Sequence, residues 1–215
     1  MVIASRISSI GIIFASLAIG LIIFHTLSDL PKEKKRKHME ELISQLVNFI
    51  IFIWVGKILL NISLFIQDPL AVLAYPGDSG AFYLACLFTA AIVVYKTVRK
   101  NLDIQKFADA FLHVFLVASF FYEFIQMILE DNTYSFGNMA VMAILLIIFF
   151  SIRGRITTLT LLITTLAGWT AGMLVLIMTQ PIVTVFGYII APWFIVLFFI
   201  GCLSIIIFSE RKRKS

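Results

Sequence analysis

The chain has 215 residues, of which 61% are apolar and 13% charged, with a net charge of +5. A soluble domain of that size cannot hide so much apolar surface, so composition excludes a soluble globular protein and points to the bilayer. The positive charge is not spread as a nucleic-acid-binding surface would need, and no nucleic-acid partner is expected. It falls instead in four clusters: Lys32–Lys37, Lys96–Lys106, Arg153–Arg155 and Arg211–Lys214.

A bilayer core takes about 20 apolar residues per helix. Hydropathy then predicts seven spans in an all-α polytopic membrane protein with one domain over 1–215. The spans are Ile7–Leu27, Ile43–Ile66, Ala81–Val98, Phe107–Leu129, Phe136–Ile152, Thr157–Met178 and Val183–Phe208. The four basic clusters alternate with loops 67–80, 129–135 and 179–182, which carry no Lys or Arg but hold Asp68, Asp78, Glu130 and Asp131. Basic loops stay in the cytoplasm. The N-terminus is therefore expected outside and the C-terminus inside a bacterial plasma membrane, with basic clusters beside anionic lipid. Arg6 before the first apolar run resembles the start of a signal peptide. Cleavage would leave a basic loop at the start of an exported chain, so the first span reads as an anchor.

In the second span, Trp54, Lys57 and Asn61 share a helical face, expected to point into the bundle. Lys57 lies well inside that span. An ionisable group at membrane depth costs about 2.5–3.5 kcal/mol on insertion scales and needs a reason. Gly77–Gly80 carries a Gly-Asp-Ser-Gly that resembles a serine-hydrolase signature. Its base would be His113, about 20 Å away at a helical rise of 1.5 Å, so Asp78 or Ser79 reads as the N-cap of the third span. In the fourth span Asp109, His113, Leu116, Phe120, Glu123 and Met127 form one stripe facing inward. Lys57 and Glu123 are expected to face one cavity, as a structural ion pair or as a headgroup site. His113 reads as a satisfied packing histidine. Gly168 and Gly172 in the sixth span are spaced for close helix packing inside the bundle. Of the five prolines only Pro192 falls inside a span. Cys86 and Cys202 have no metal-ligand spacing, His25 and His38 have no partner at such spacing, and no metal or other cofactor is expected.

Five stretches in order resemble bacterial prolipoprotein diacylglyceryl transferase over about 56–208. Gly56-Lys57-Ile58 resembles the family's Gly-x-Arg element, and Asp68–Ala74 its Pro-Leu-Glu-Ile-Leu-Ala run. Gly80-Ala81-Phe82-Tyr83 stands where the family has Ser-Phe-His-Gly-Gly, and Phe107-Ala108-Asp109 is similar to its Leu-Ala-Asp. Phe186–Pro192 resembles its Met-Gly-Gln-Trp-Leu-Ser-Leu-Pro. The resemblance implies a seven-helix plasma membrane fold. It also implies a reaction that moves the diacylglyceryl group of phosphatidylglycerol onto the lipobox cysteine of a lipoprotein precursor. That chemistry needs a cationic cradle for phosphate. Here Tyr83 replaces the family's histidine, Glu123 the fourth-helix arginine, Gln126 an asparagine and Trp169 the sixth-helix arginine. Lys57 alone keeps a positive charge at a family arginine position.

The reading that follows is a catalytically degenerate member that binds phospholipid (phosphatidylglycerol foremost), a lipopeptide or lipoprotein, or a membrane partner. Its candidate headgroup-binding residues are Lys57, Asn61, Tyr83, Glu123, Gln126 and Trp169. The first alternative is an active, divergent diacylglyceryl or acyl transferase in lipoprotein biogenesis, using Lys57, Tyr83 and Glu123. The second is a small-solute transporter with a Lys57–Glu123 path, which helices broken at mid-membrane would favour. The sequence leaves the oligomeric state open.

Overall fold

The computed structural model describes the backbone of residues 2–28, 31–74, 77–100, 102–129 and 132–214. Side chains are described for 10–28, 31–72, 77–100, 102–129 and 132–211. Glu130 and Asp131, and the side chains of Lys212, Arg213 and Lys214, lie outside the described residues.

The elements in order are α1 (Val2–Leu27), α2 (Lys32–Leu60), α3 (Ile62–Gln67), α4 (Pro69–Ala74), α5 (Ser79–Arg99) and α6 (Ile104–Leu129). They continue with α7 (Ser135–Ile152), α8 (Thr158–Thr179), β1 (Thr184–Val185), β2 (Tyr188–Ile189) and α9 (Pro192–Lys214). Among the described residues seven of these helices are long and apolar enough to cross a bilayer. The chain is thus an all-α polytopic membrane protein, as its hydropathy predicts.

Two of the predicted spans need correcting. The second begins eleven residues early, because Lys32–Leu42 continue the helix as polar turns, and it stops at Leu60. Lys57 is therefore in the last turn of α2 rather than deep in a span. A cation there interacts favourably with the carbonyl end of the helix. The seventh span begins at Pro192, not Val183, since a tight antiparallel hairpin occupies residues 184–189. Pro192 is the first residue of α9 rather than an interior one. At that position the missing N–H costs no helical hydrogen bond.

The helices group into two compact units, Glu40–Ile104 and Met1–Met39 with Gln105–Ser215. In the 40–104 unit α2 and α5 run antiparallel. At one end the Lys96 ammonium donates to Glu41 at 2.6 Å, and Gln45 donates to the same carboxylate at 2.7 Å. Phe49 packs edge-on against Phe82 and Phe52 against Phe88. At the other end Gly56 lies so close to α5 that a Cβ there would stand 2.9 Å from the Ala81 carbonyl oxygen. Asp78 caps α5 by accepting from the Ala81 N–H at 2.8 Å, the role the Gly-Asp-Ser-Gly reading assigned.

The larger unit is built around α6. Half of its membrane-length window is buried, against 11% for α9, so α6 is the central helix and α9 a peripheral one. α1 crosses α6 at Gly20, beside Val114 and Ala118. Gly168 and Gly172 of α8 abut Leu145 and Val141 of α7, which is the internal packing their spacing suggested. Trp169 of α8 meets Phe115 of α6 on one side and Phe198 of α9 on the other. At one end Arg153 bridges to Asp109, and Gln105 bonds to Glu210. The start of α6 and the ends of α7 and α9 therefore share one end of this unit, which carries its basic residues.

Candidate functional site

At the opposite end of the larger unit the hairpin folds back against α6. β1 and β2 pair in the register Thr184–Ile189 and Val185–Tyr188, and the Ile190 N–H donates to the Val183 carbonyl at 3.0 Å. The turn places Phe186 at φ +49° and Gly187 at φ +83°. A non-glycine residue with positive φ is strained. What holds Phe186 is its ring, centred 5.4 Å from Tyr122 and 6.1 Å from Phe115, both on α6. A Cβ on Gly187 would stand 3.0 Å from the Tyr122 hydroxyl, so the turn fits that hydroxyl closely.

Tyr122 and Phe115 precede Leu129, the end of α6, by about 10 and 21 Å at the helical rise. The Phe186 ring lies between those levels. The hairpin is thus re-entrant along the central helix of this unit. Non-helical backbone at membrane depth is tolerated only where protein buries it or where it lines a polar cavity.

The groups around the hairpin are polar and buried. Glu123 is 4% exposed, and the Asn138 amide of α7 donates to its Oε1 at 3.3 Å. The same amide reaches the Thr184 carbonyl at 3.5 Å, tying α6 and α7 to β1. The Ser135 hydroxyl stands beside the Glu123 carboxyl in a geometry that falls short of a hydrogen bond. Gln126 is buried one turn further on and donates to the Tyr122 hydroxyl at 3.3 Å. Gln180, after α8, lies against Gly137 of α7. Asn138 Oδ1, Gln180 Oε1 and Ser135 Oγ are buried with no hydrogen-bond partner among the described residues. Tyr188 is half-buried on β2. The cluster is rich in unsatisfied acceptors, each costing about 1–3 kcal/mol if left unmet. It suits a ligand that brings donors.

The sequence candidates divide between the units. Glu123 and Gln126 are in this cluster. Trp169 is buried in the same unit beside Phe115, and its indole N–H has no hydrogen-bond partner among the described residues. Of the stripe expected to face inward on α6, His113, Leu116 and Glu123 are buried while Asp109, Phe120 and Met127 are only half-buried, and the buried surface of this central helix extends beyond the stripe to Val114, Ala118 and Tyr122. In the other unit Lys57 is buried, and Asp78 is near enough to act on it electrostatically. The expected Trp54–Lys57–Asn61 face is not an interior one. Trp54 is exposed, while Asn61 is exposed beyond the helix end, where its amide caps the Lys57 carbonyl at 3.0 Å. Its role is local. Tyr83 is half-buried beside Phe82. The shared Lys57–Glu123 cavity expected from sequence joins residues of different units and is not part of either unit's geometry.

Asn138, Tyr122, Thr184 and the Phe186–Gly187 turn escaped sequence reasoning. Asn138 carried a signal: it is the one amide in the otherwise strongly apolar α7, three residues after its first.

His113 is fully buried among Phe24, Phe149 and Phe150. Arg153 contacts its Nδ1 at 2.8 Å. The histidine packs as expected but is only half satisfied, because Nε2 has no partner among the described residues. Among those residues no group of three or more His, Cys, Asp or Glu side chains could hold a metal ion. No protein-family model, curated protein or solved structure matches the chain.

Proposed function

We propose that this chain is a multi-pass bacterial plasma-membrane protein with a prolipoprotein diacylglyceryl transferase-like fold. It is catalytically degenerate and binds phospholipid or lipopeptide through the hairpin cluster. The observation that carries this reading is the buried Glu123 carboxyl, bonded to an amide and surrounded by unpaired acceptors, at the place where the family resemblance puts an arginine. An anionic phosphate is repelled by such a group. A headgroup's hydroxyls or an amine are not, since both donate to carboxylate and amide oxygens. The terminal diol of phosphatidylglycerol is the donor-bearing headgroup that the resemblance favours, with a lipopeptide amine as the second. The enclosing rings of Phe186, Phe115 and Trp169 suit the apolar part of either. Lys57 and Tyr83 belong to the other compact unit and are not part of this cluster.

The experiment is a titration of short-chain phosphatidylglycerol into the purified protein in detergent, followed by intrinsic tryptophan fluorescence. Saturable binding is expected, weakened at least tenfold by Glu123→Leu. Equal binding by a phosphatidic acid of the same chain length, which lacks the diol, contradicts the reading.

A second reading, a small-solute transporter, gains from one observation. A non-helical hairpin at residues 184–189 packs along α6 ahead of the continuous seventh span, and transporters place their sites where irregular backbone enters the membrane. Uptake of a solute into liposomes that Glu123→Leu abolishes would favour it. The third reading, an active divergent transferase using Lys57, Tyr83 and Glu123, is tested at the end of the Discussion.

A further inference from the structure

In the 40–104 unit, the close approach of Gly56 to Ala81 puts the last turns of α2 level with the first turn of α5. Residues 61–78 therefore connect two spans at one end of that unit. Asn61, at φ −125° and ψ 37°, breaks the helix, and α3 follows it. At the bend after α3 the Asp68 N–H donates to the Leu64 carbonyl at 2.8 Å, and the Asp68 carboxylate accepts from the Ala71 N–H at 3.0 Å to start α4. Pro69 takes the first position of α4, where no N–H is needed. The connector is a built bend.

What the bend presents is apolar. Ile66 and Leu70, on either side of it, are 78% and 77% exposed, and Ile62 and Leu64 are exposed before them. Val72, 3% exposed, ties the far side of the bend into the unit. Asp68 is the only charged residue in 62–77. A contiguous run of exposed leucine and isoleucine is unfavourable in water and marks an interaction surface. Two observations say what covers this one. Its apolar surface continues that of Leu59 and Leu60, exposed residues of a helix long and apolar enough to cross the bilayer. Trp54, exposed on the same helix six residues before its end, is the side-chain type that marks the headgroup boundary, which puts the end of α2 at headgroup level.

We infer that α3 and α4 form an interfacial anchor whose occupant is the lipid of the leaflet at that end. Ile66 and Leu70 enter the boundary between headgroups and acyl chains, where short apolar elements bind by burying area. Gln67 and Asp68, between them in sequence, stay among the headgroups. The anchor fixes the depth of the 40–104 unit. It also holds Lys57, one turn before Asn61, at headgroup level rather than in the hydrocarbon, where a cation is far more costly. The inference is independent of Glu123 and of the function proposed for the hairpin cluster.

The test places nitroxide spin labels on the full chain in phosphatidylcholine nanodiscs, with Cys86 and Cys202 replaced by alanine. Labels go on Ile66→Cys and Leu70→Cys. Leu87→Cys, exposed midway along α5, is the lipid reference, and Arg155→Cys, exposed between α7 and α8, is the water reference. Collision with oxygen, which concentrates in lipid, is compared with collision with a water-soluble nickel chelate. The oxygen-to-nickel ratio at 66 and 70 should exceed that at 155 by at least fivefold and approach that at 87. Leu64→Cys, exposed on the same connector, serves if either labelled variant fails to fold. A ratio at 66 and 70 equal to that at 155 puts the bend in water and overturns the inference. Low collision with both reagents means that protein, such as a second copy of the chain, covers the bend, and it overturns the inference equally.

Discussion

At the scale of single residues, the site rests on how few partners its buried polar groups have. Asn138 is the keystone, because its amide is the donor for both Glu123 and the Thr184 carbonyl. Asn138→Leu strands a buried carboxyl and a backbone carbonyl. A loss of about 1–3 kcal/mol is expected, seen as a lower thermal midpoint in detergent. The double variant Glu123→Leu, Asn138→Leu should regain most of that loss, since apolar replacement of both partners can be near neutral. Additive losses would show that the two side chains are not coupled. In the other unit, Gly56→Val should destabilise by more than about 1 kcal/mol because it drives a side chain into the Ala81 backbone. Gly201→Ala, with nothing within 4 Å, should leave the midpoint unchanged. Equal midpoints for the two glycine variants would contradict the α2–α5 packing described.

Among elements, the hairpin at 184–189 matters most and was least legible in the sequence. Val183–Ala191 is almost wholly apolar, so hydropathy merges it with the following helix. A two-residue strand is too short for alternation to show. Gly187 and Pro192 were the available signals, a turn glycine and a helix-starting proline. The start of α2 was missed for the opposite reason: Lys32–Glu41 is too polar to count toward a span, yet helices continue into water. By contrast, the ends of α5, α6, α7 and α8 were legible to within a few residues, because charged or capping residues sit where the apolar runs stop. Glu123 and Gln126 were legible as rare polar groups in an apolar helix. Their partners were not, because Asn138 and Thr184 meet them only through tertiary packing. Gly187→Ala should cost about 1–2 kcal/mol, as it forces an L side chain into the left-handed region against Tyr122. Limited proteolysis should cut the variant within 180–191 sooner than the wild type. Unchanged proteolysis would mean that the turn conformation is not what holds the hairpin.

For the whole molecule, the proposed orientation puts the hairpin end outside and the basic end inside. Tyr134 and Arg155 flank α7 at exposed positions, so they report on its two ends. With Cys86 and Cys202 replaced by alanine, an impermeant thiol reagent on intact cells should label Tyr134→Cys and spare Arg155→Cys. The reverse pattern would invert the orientation and move the acceptor-rich cluster to the cytoplasmic leaflet.

The central claim is binding without transfer. Transfer of a diacylglyceryl group needs fixed positive charge around the leaving phosphate, and loss of one preorganised donor costs a catalytic site about 2.7–4 kcal/mol. Here Glu123 and Trp169 occupy two positions where the resemblance expects arginine, and lysine at 57 lacks the planar two-pronged grip of the third. The most direct measurement places the purified protein in liposomes containing phosphatidylglycerol and a lipobox peptide and reads the peptide by mass spectrometry. The account predicts an unmodified peptide from a protein that still binds phosphatidylglycerol saturably. A diacylglyceryl-modified peptide that disappears in a Lys57→Ala variant would contradict it and establish the divergent transferase.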